Sequence, residues 1–398
     1  MTYQIPRMLS LVLAFGIFFT LSCSTLRDAE PANSSDDESS LQEEINFINQ
    51  EITENPGNTD LQAEKAHLLY RYSQTISTPA NRNPVYQNIR DIANSYSSNS
   101  EISAQLDEVL SEAWHTEQQS GIRLLQSSES PQNQDYKVIT SHFENAITLI
   151  PDSLQSYTVL ATTHYQHGNL NRAIEMLEQA EEQRDQYNPT VSEKLAYLYL
   201  ESGNLVEAER RYRDLVEFSP EKLLYKHGLI NVLILSDKHD ETIDMLEELS
   251  EEYPARYSYQ ESLATELYYL FKTKTDAIAS GSSNNALSND ERDELTNLLS
   301  SVHSIFETIQ ESLPSSEENL FRMASFYKNA SQRLQKLPDA NGDFDNMESE
   351  YMEYSLPLWE QLAEINPENL GYINNLYQVY LELGMQEEAE SIERSYNF

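Results

Sequence analysis

Cysteine is almost absent from this chain: one residue, Cys23, in 398. That excludes an intramolecular disulfide and any cluster held by several thiolates. Glycine is scarce, at 10 residues, which leaves little material for phosphate-cradling loops. Basic residues are few: 26 Lys and Arg stand against 66 Asp and Glu, a formal charge of -40. Such a surface repels phosphate backbones and anionic lipid, so the expected partners are neutral or basic and do not include nucleic acid. Phosphate-loop, dinucleotide, GxSxG and HExxH motifs are all missing. No cofactor and no catalysis are therefore expected.

What is present begins with an address. Arg7 precedes an apolar run, Met8–Leu21, that is shorter than the roughly 20 residues a membrane-spanning helix needs. Its length suits the apolar core of a signal peptide. The sole cysteine follows at once, and Thr20-Leu21-Ser22-Cys23 resembles a bacterial lipobox, with Thr20 and Leu21 departing from its preferred residues. The resemblance implies cleavage after residue 22 and lipidation of Cys23. Two other readings stay open: an incidental cysteine beside an ordinary cleavage site, or an uncleaved anchor. Ser24 stands where Asp holds many lipoproteins at the inner membrane, so the resemblance implies the outer one. Residues 23–40 are polar and acidic, and read as a disordered tether.

From residue 41 to 398 apolar residues recur at three- and four-residue spacing, the period of a helix. The helices are punctuated. Pro220 and Pro254 stand 34 positions apart, and Gly168 and Gly203 stand 35 apart. Glycine takes the left-handed turn that ends a helix, and proline cannot continue one. Within one such unit Leu195, Ala196 and Tyr199 precede Gly203, and Ala208, Tyr212 and Pro220 follow it. The unit before has Leu160-Ala161, Gly168, Ala173, Leu177 and Ala180. The unit after has Leu229, Leu233, Leu246, Leu249 and Pro254, with Asp237 in the glycine's place. The last has Leu376, Tyr380, Gly384 and Ala389, preceded by Trp359, Leu362 and Pro367.

These residues resemble the tetratricopeptide repeat (TPR), most clearly over 151–254 and 355–398. The resemblance implies an all-α, right-handed solenoid of about eight helix pairs. It also implies that the first helix of each pair lines a concave binding groove. By that register the groove holds Gln155, Thr158, Thr162 and Tyr165, then Thr190, Glu193, Tyr197 and Glu201. His227, Asn231 and Ile234 follow, and then Glu261, Thr265, Tyr268 and Tyr269. The residues with the strongest claim on a partner are Thr158, Tyr165, Glu193, Tyr197, Glu201, Asn231, Glu261, Tyr268 and Tyr269. Tyrosine offers a large contact area with a polar tip, although Tyr197 and Tyr268 could equally be packing residues. Some TPR proteins clamp a terminal carboxylate with Lys and Asn, and that lysine is missing from these positions.

Three further segments invite chemistry. Residues 272–291 read as a polar loop, followed by a helix that Asp290 caps and that ends near Pro314. Asp339, Asn341, Asp343 and Glu350 are spaced like a calcium loop, but Phe344 stands where such a loop needs glycine, and an acidic linker is the simpler reading. His164 and His167 lie three apart, with packing the simpler reading there too. The expected function is that of an envelope scaffold that recruits a protein or peptide and reaches the membrane through its lipid. The alternative is a SusD-like, glycan- or nutrient-binding outer-membrane lipoprotein, for which Trp114 and Trp359 provide few aromatic platforms. Labelled palmitate should enter the wild type and not Cys23→Ala. Equal labelling of both would end the lipoprotein reading.

Overall fold

The computed structural model describes residues 38–97, 100–127, 133–183, 186–280, 287–313, 316–337 and 344–396. The leader, Cys23 and most of the tether lie outside them. The described residues fall into two compact units, one up to Val232 and one from Leu233. Among them there are seventeen α-helices and no strand.

The N-terminal unit holds α1 (Glu38–Glu54), α2 (Asp60–Thr75), a 3-10 turn (Pro79–Arg82), α3 (Asn83–Ser95) and α4 (Ser100–Ser127). It continues with α5 (Asn133–Leu149), α6 (Leu154–Gln166), α7 (Leu170–Glu182), α8 (Pro189–Glu201) and α9 (Leu205–Phe218). The division of units falls within α10 (Leu223–Leu235). The C-terminal unit holds α11 (His239–Glu252), α12 (Tyr257–Ser280), α13 (Asn289–Ser312) and α14 (Glu317–Leu334). It ends with α15 (Asp345–Ile365), α16 (Leu370–Glu382) and α17 (Gln386–Tyr396). In the first unit α4 packs on α5, α6 on α7 and α8 on α9. In the second α11 packs on α12, α14 on α15 and α16 on α17. Within these pairs each helix covers its apolar stripe chiefly with its sequence neighbour, as stacked pairs must.

The sequence signals behave as the chemistry requires. Gly168, Gly203 and Gly384 have φ of 79°, 77° and 72°, and Asp237 takes the same role at φ 55°. At all four turns one backbone bond closes over the helix end: Asn169 N–H to His164 O, Asn204 to Tyr199, Lys238 to Leu233 and Met385 to Tyr380. This pattern satisfies carbonyls that the helix leaves without partners. Ser153, Asn188, Asn204, Ser316 and Asn369 cap the starts of α6, α8, α9, α14 and α16 through their side chains.

Small residues mark the close crossings. Ala161, Ala173, Ala196 and Ala208 are all buried, the last three fully. Between α9 and α10 even a methyl is too large: a Cβ on Gly228 would stand 2.1 Å from the Tyr212 ring. Helix ends, by contrast, oppose the macrodipole. The last turns of α1, α7, α11 and α16 contain Glu54, Glu182, Glu252 and Glu382 and no basic residue.

Three expectations about segments are corrected. Residues 38–40 belong to α1, not to the tether. Residues 272–280 continue α12, because Phe271 and Thr275 extend its buried face and Arg333 bonds to Thr275 and Asp276. The cap of α13 is Ser288, not Asp290: Ser288 and Glu291 bond reciprocally in a capping box.

Where the repeat is least regular, a buried ionic network takes over. Glu117 of α4 is fully buried. It accepts from Arg82 at 2.9 Å, Tyr86 at 2.7 Å, His142 at 2.6 Å and Asn145 at 3.3 Å. Asn145 also donates to the Pro79 carbonyl and Arg82 to that of Ile76, so the irregular turn is tied to α4 and α5. Burial pushes Glu117 up, but the hydrogen bonds from His142, Tyr86 and Arg82 outweigh it and hold the carboxyl below its ordinary 4.5. A carboxyl with a depressed pKa stabilises the fold above its unfolded value, and the contribution fades as pH falls through the folded one. Glu117→Gln should therefore cost about 3–5 kcal/mol at neutral pH, because Arg82, only 13% exposed, is left without a counter-charge. Denaturant titrations at several pH values should also show a shallower loss of stability below pH 4.5 than in the wild type. A parallel pH profile would sever the network from acid stability.

Candidate functional site

The inner positions expected on α6, α8 and α10 separate into surface and core. Tyr165, Thr158, Glu193, Tyr197 and Asn231 are half-buried, and Glu201 is exposed. Thr162, His227 and Ile234 are buried. Tyr165 on α6 and Tyr197 on α8 come together, with hydroxyls 3.0 Å apart and rings edge-to-face at 6.0 Å between centroids. Positions 193, 197 and 201 recur every four residues on α8, so Glu193 and Glu201 flank Tyr197 along one stripe. Burial pushes the Tyr197 phenol above its ordinary 10, and the bond to Tyr165 and the Glu201 carboxylate push the same way. The phenol stays protonated at neutral pH and can offer or accept a hydrogen bond.

One member of this face is absent from the expected groove residues. Lys222, just before α10, donates to Glu193 at 3.0 Å and to the Tyr225 hydroxyl at 2.7 Å. Its ammonium also lies 4.1 Å from the Tyr225 ring centroid. The signal was available in Lys222-Leu-Leu-Tyr225, a cation three residues before an aromatic at a helix start.

In the C-terminal unit the expected residues divide again. Glu261 is half-buried and accepts from Arg322 at 3.3 Å. Burial raises its carboxyl above 4.5 against the opposing pull of Arg322. Tyr269 is half-buried beside the His239 ring, at 4.8 Å. Tyr268 is corrected from groove to core: it is 8% exposed and packs on Phe271 and Phe326. Burial pushes its phenol up to about 12. A lysine beside an asparagine does occur in this unit. Lys328, 5% exposed, donates to Asn375 and Gln378 at 2.9 Å each. Burial lowers its pKa.

Among the described residues no group of three or more His, Cys, Asp and Glu could hold a metal ion. His164 bonds through Nδ1 to the Tyr136 hydroxyl at 2.7 Å, and Tyr136 stacks on His167 at 3.9 Å, so both histidines serve an aromatic cluster. Residues 338–343, with most of the calcium-loop pattern, lie outside the described residues. Phe344 is buried at 3% exposure and Glu350 is exposed on α15.

No family model matches the chain, and no curated protein matches it. Solved structures are similar in fold. YrrB, a TPR protein with an unusual peptide-binding site, is 15% identical with a TM-score of 0.37, over 58% of this chain and 96% of its own. PilF of Pseudomonas aeruginosa is 15% identical with a TM-score of 0.37, over 66% and 96%. Human IFIT1, solved as a dimer with m7Gppp-AAAA, is 13% identical with a TM-score of 0.30, over 92% and 95%. Within each compact unit the helices form TPR-like pairs by their own turns and crossings. These likenesses concern that fold alone.

The burial of the two tyrosines separates their roles. Tyr268→Ala should lower stability by on the order of 3 kcal/mol in thermal melts, through loss of a buried ring. Tyr197→Ala should lower it by less. A mild Tyr268→Ala would return that residue to the surface.

Proposed function

We propose that the chain is a scaffold of the bacterial envelope, held by a lipid on Cys23, most simply at the outer membrane. Its folded part binds a protein or peptide and catalyses nothing. The observation that carries the reading is the Tyr165–Tyr197 pair, bordered by Glu193 and Glu201. It is a continuous, half-open tyrosine and carboxylate surface on helices whose other faces are core. The amphipathic rings give contact area at low entropic cost, and with Glu193 paired to Lys222 it is the exposed Glu201 carboxylate that favours a neutral or basic segment over an acidic one. The net charge of -40 works against nucleic acid. The leader supports the anchor: an apolar run ends at the sole cysteine, and a polar stretch follows it. No helix among the described residues is long and apolar enough to cross a membrane.

The test is affinity capture of the full-length protein from crosslinked membranes, compared with Tyr165→Ala/Tyr197→Ala. The double variant should melt as a folded protein and lose a specific partner. An unchanged partner set would move the binding surface off α6 and α8.

A further inference from the structure

A second aromatic surface belongs to the C-terminal unit and has no part in the reading above. His303 of α13, Tyr327 of α14, and Tyr351 and Tyr354 of α15 form one cluster with ring centroids 5.4 to 6.2 Å apart. The cluster is not wholly core. Tyr354 is 43% exposed, and the His303 side chain is 26% exposed. The His303 ring lies within 20° of parallel to Tyr351 and 23° of parallel to Tyr354. Tyr351 is buried, at 4% exposure, so the rings that reach the surface in nearly one orientation are His303 and Tyr354.

The hydrogen-bond inventory gives this surface a sign. The Tyr327 hydroxyl lies 2.9 Å from His303 Nδ1, and His303 Nε2 is 3.4 Å from Glu307 Oε2. With the imidazole proton turned to the carboxylate, Nδ1 accepts from Tyr327, whose only proton is thereby committed. The hydroxyls of Tyr351 and Tyr354 make no hydrogen bond among the described residues, and at the surface the open lone pairs are those of Tyr354. Glu307 and Glu350 act electrostatically on the same phenols: burial comes first in raising Tyr327 and Tyr351 above 10, and these carboxylates add to it. No Lys or Arg lies within ion-pair distance of either carboxylate among the described residues. Ring faces, phenol lone pairs and carboxylates all favour a cation, and all disfavour an anion. A hydrocarbon core would need none of the three hydroxyls.

We propose that this patch on α13 and α15 is a binding site for an arginine side chain of a partner protein. A guanidinium is planar, so it stacks on the exposed Tyr354–His303 pair, and its forked N–H groups meet Glu307 and the Tyr354 phenol oxygen. A lysine ammonium gains the charge but not the stacking.

The test uses the full chain with 3-fluorotyrosine incorporated, its Tyr354 resonance assigned through Tyr354→Phe. Acetyl-Gly-Arg-Gly-amide is titrated at physiological salt. The Tyr354 signal should shift saturably, and the citrulline version, which keeps the shape without the charge, should bind about tenfold more weakly. Glu307→Gln should weaken arginine binding several-fold, whereas Glu247→Gln, which removes the same charge from α11, should leave it unchanged. Equal losses from both would assign the affinity to bulk charge and overturn the site. Equal shifts with arginine and citrulline, or none, would also overturn it. A stronger response to phosphocholine than to the arginine peptide would replace the peptide by a lipid headgroup. Thermal melting confirms that Glu307→Gln is folded.

Discussion

Paired helices in this chain approach so closely at a few points that only the smallest side chains fit, and the rest of the architecture depends on that approach. Ala173, Ala196 and Ala208 are fully buried, and at Gly228 the Tyr212 ring occupies the space a methyl would need. A helix pair drawn together in this way still has an apolar face on each outer side. The next pair must cover it, so contacts run between neighbours in sequence. The same rule leaves the first helix of a pair with one face against its partner and another free for polar residues. Tyr165, Tyr197 and Glu201 can stand in solvent because the core is complete without them.

The buried network around Glu117 shows what happens where the pairing rule loosens. Between α2 and α4 the chain makes a 3-10 turn and a short helix instead of a regular pair. Its carbonyls at Ile76 and Pro79 need donors, which Arg82 and Asn145 provide. Glu117 then holds both donors in place. Geometry that small residues enforce elsewhere is enforced here by charge and hydrogen-bond direction.

Much of the repeat was legible because its signals are local. A glycine or Asp237 at a helix end, a proline after the second helix and an alanine at the crossing act within one or two turns of chain. The misses have equally local causes. Lys272, Thr273, Lys274 and Thr275 read as loop because lysine and threonine dominate, yet Thr275 is only 3% exposed under Arg333. Asp290 and Ser288 are both good caps, and only the reciprocal bond to Glu291 decides between them. Tyr268 and Tyr269 are adjacent on one helix, so an error of one position exchanges a groove residue for a core residue. The Glu117 network could not be read at all. Its members come from four elements, and nothing in their spacing announces that Arg82 and His142 meet one carboxylate.

Carboxylates at the ends of α1, α7, α11 and α16 sit where each helix is already partially negative. The helix dipole opposes each of them in dilute solution by a few tenths of a kcal/mol up to about 1, although Gln50 and Gln332 donate to Glu54 and Glu382. A dense ionic atmosphere screens such contacts over roughly 10 Å at 0.1 M salt, while the alanine-packed crossings are indifferent to it. Added salt therefore eases the helix termini and leaves the interior as it is.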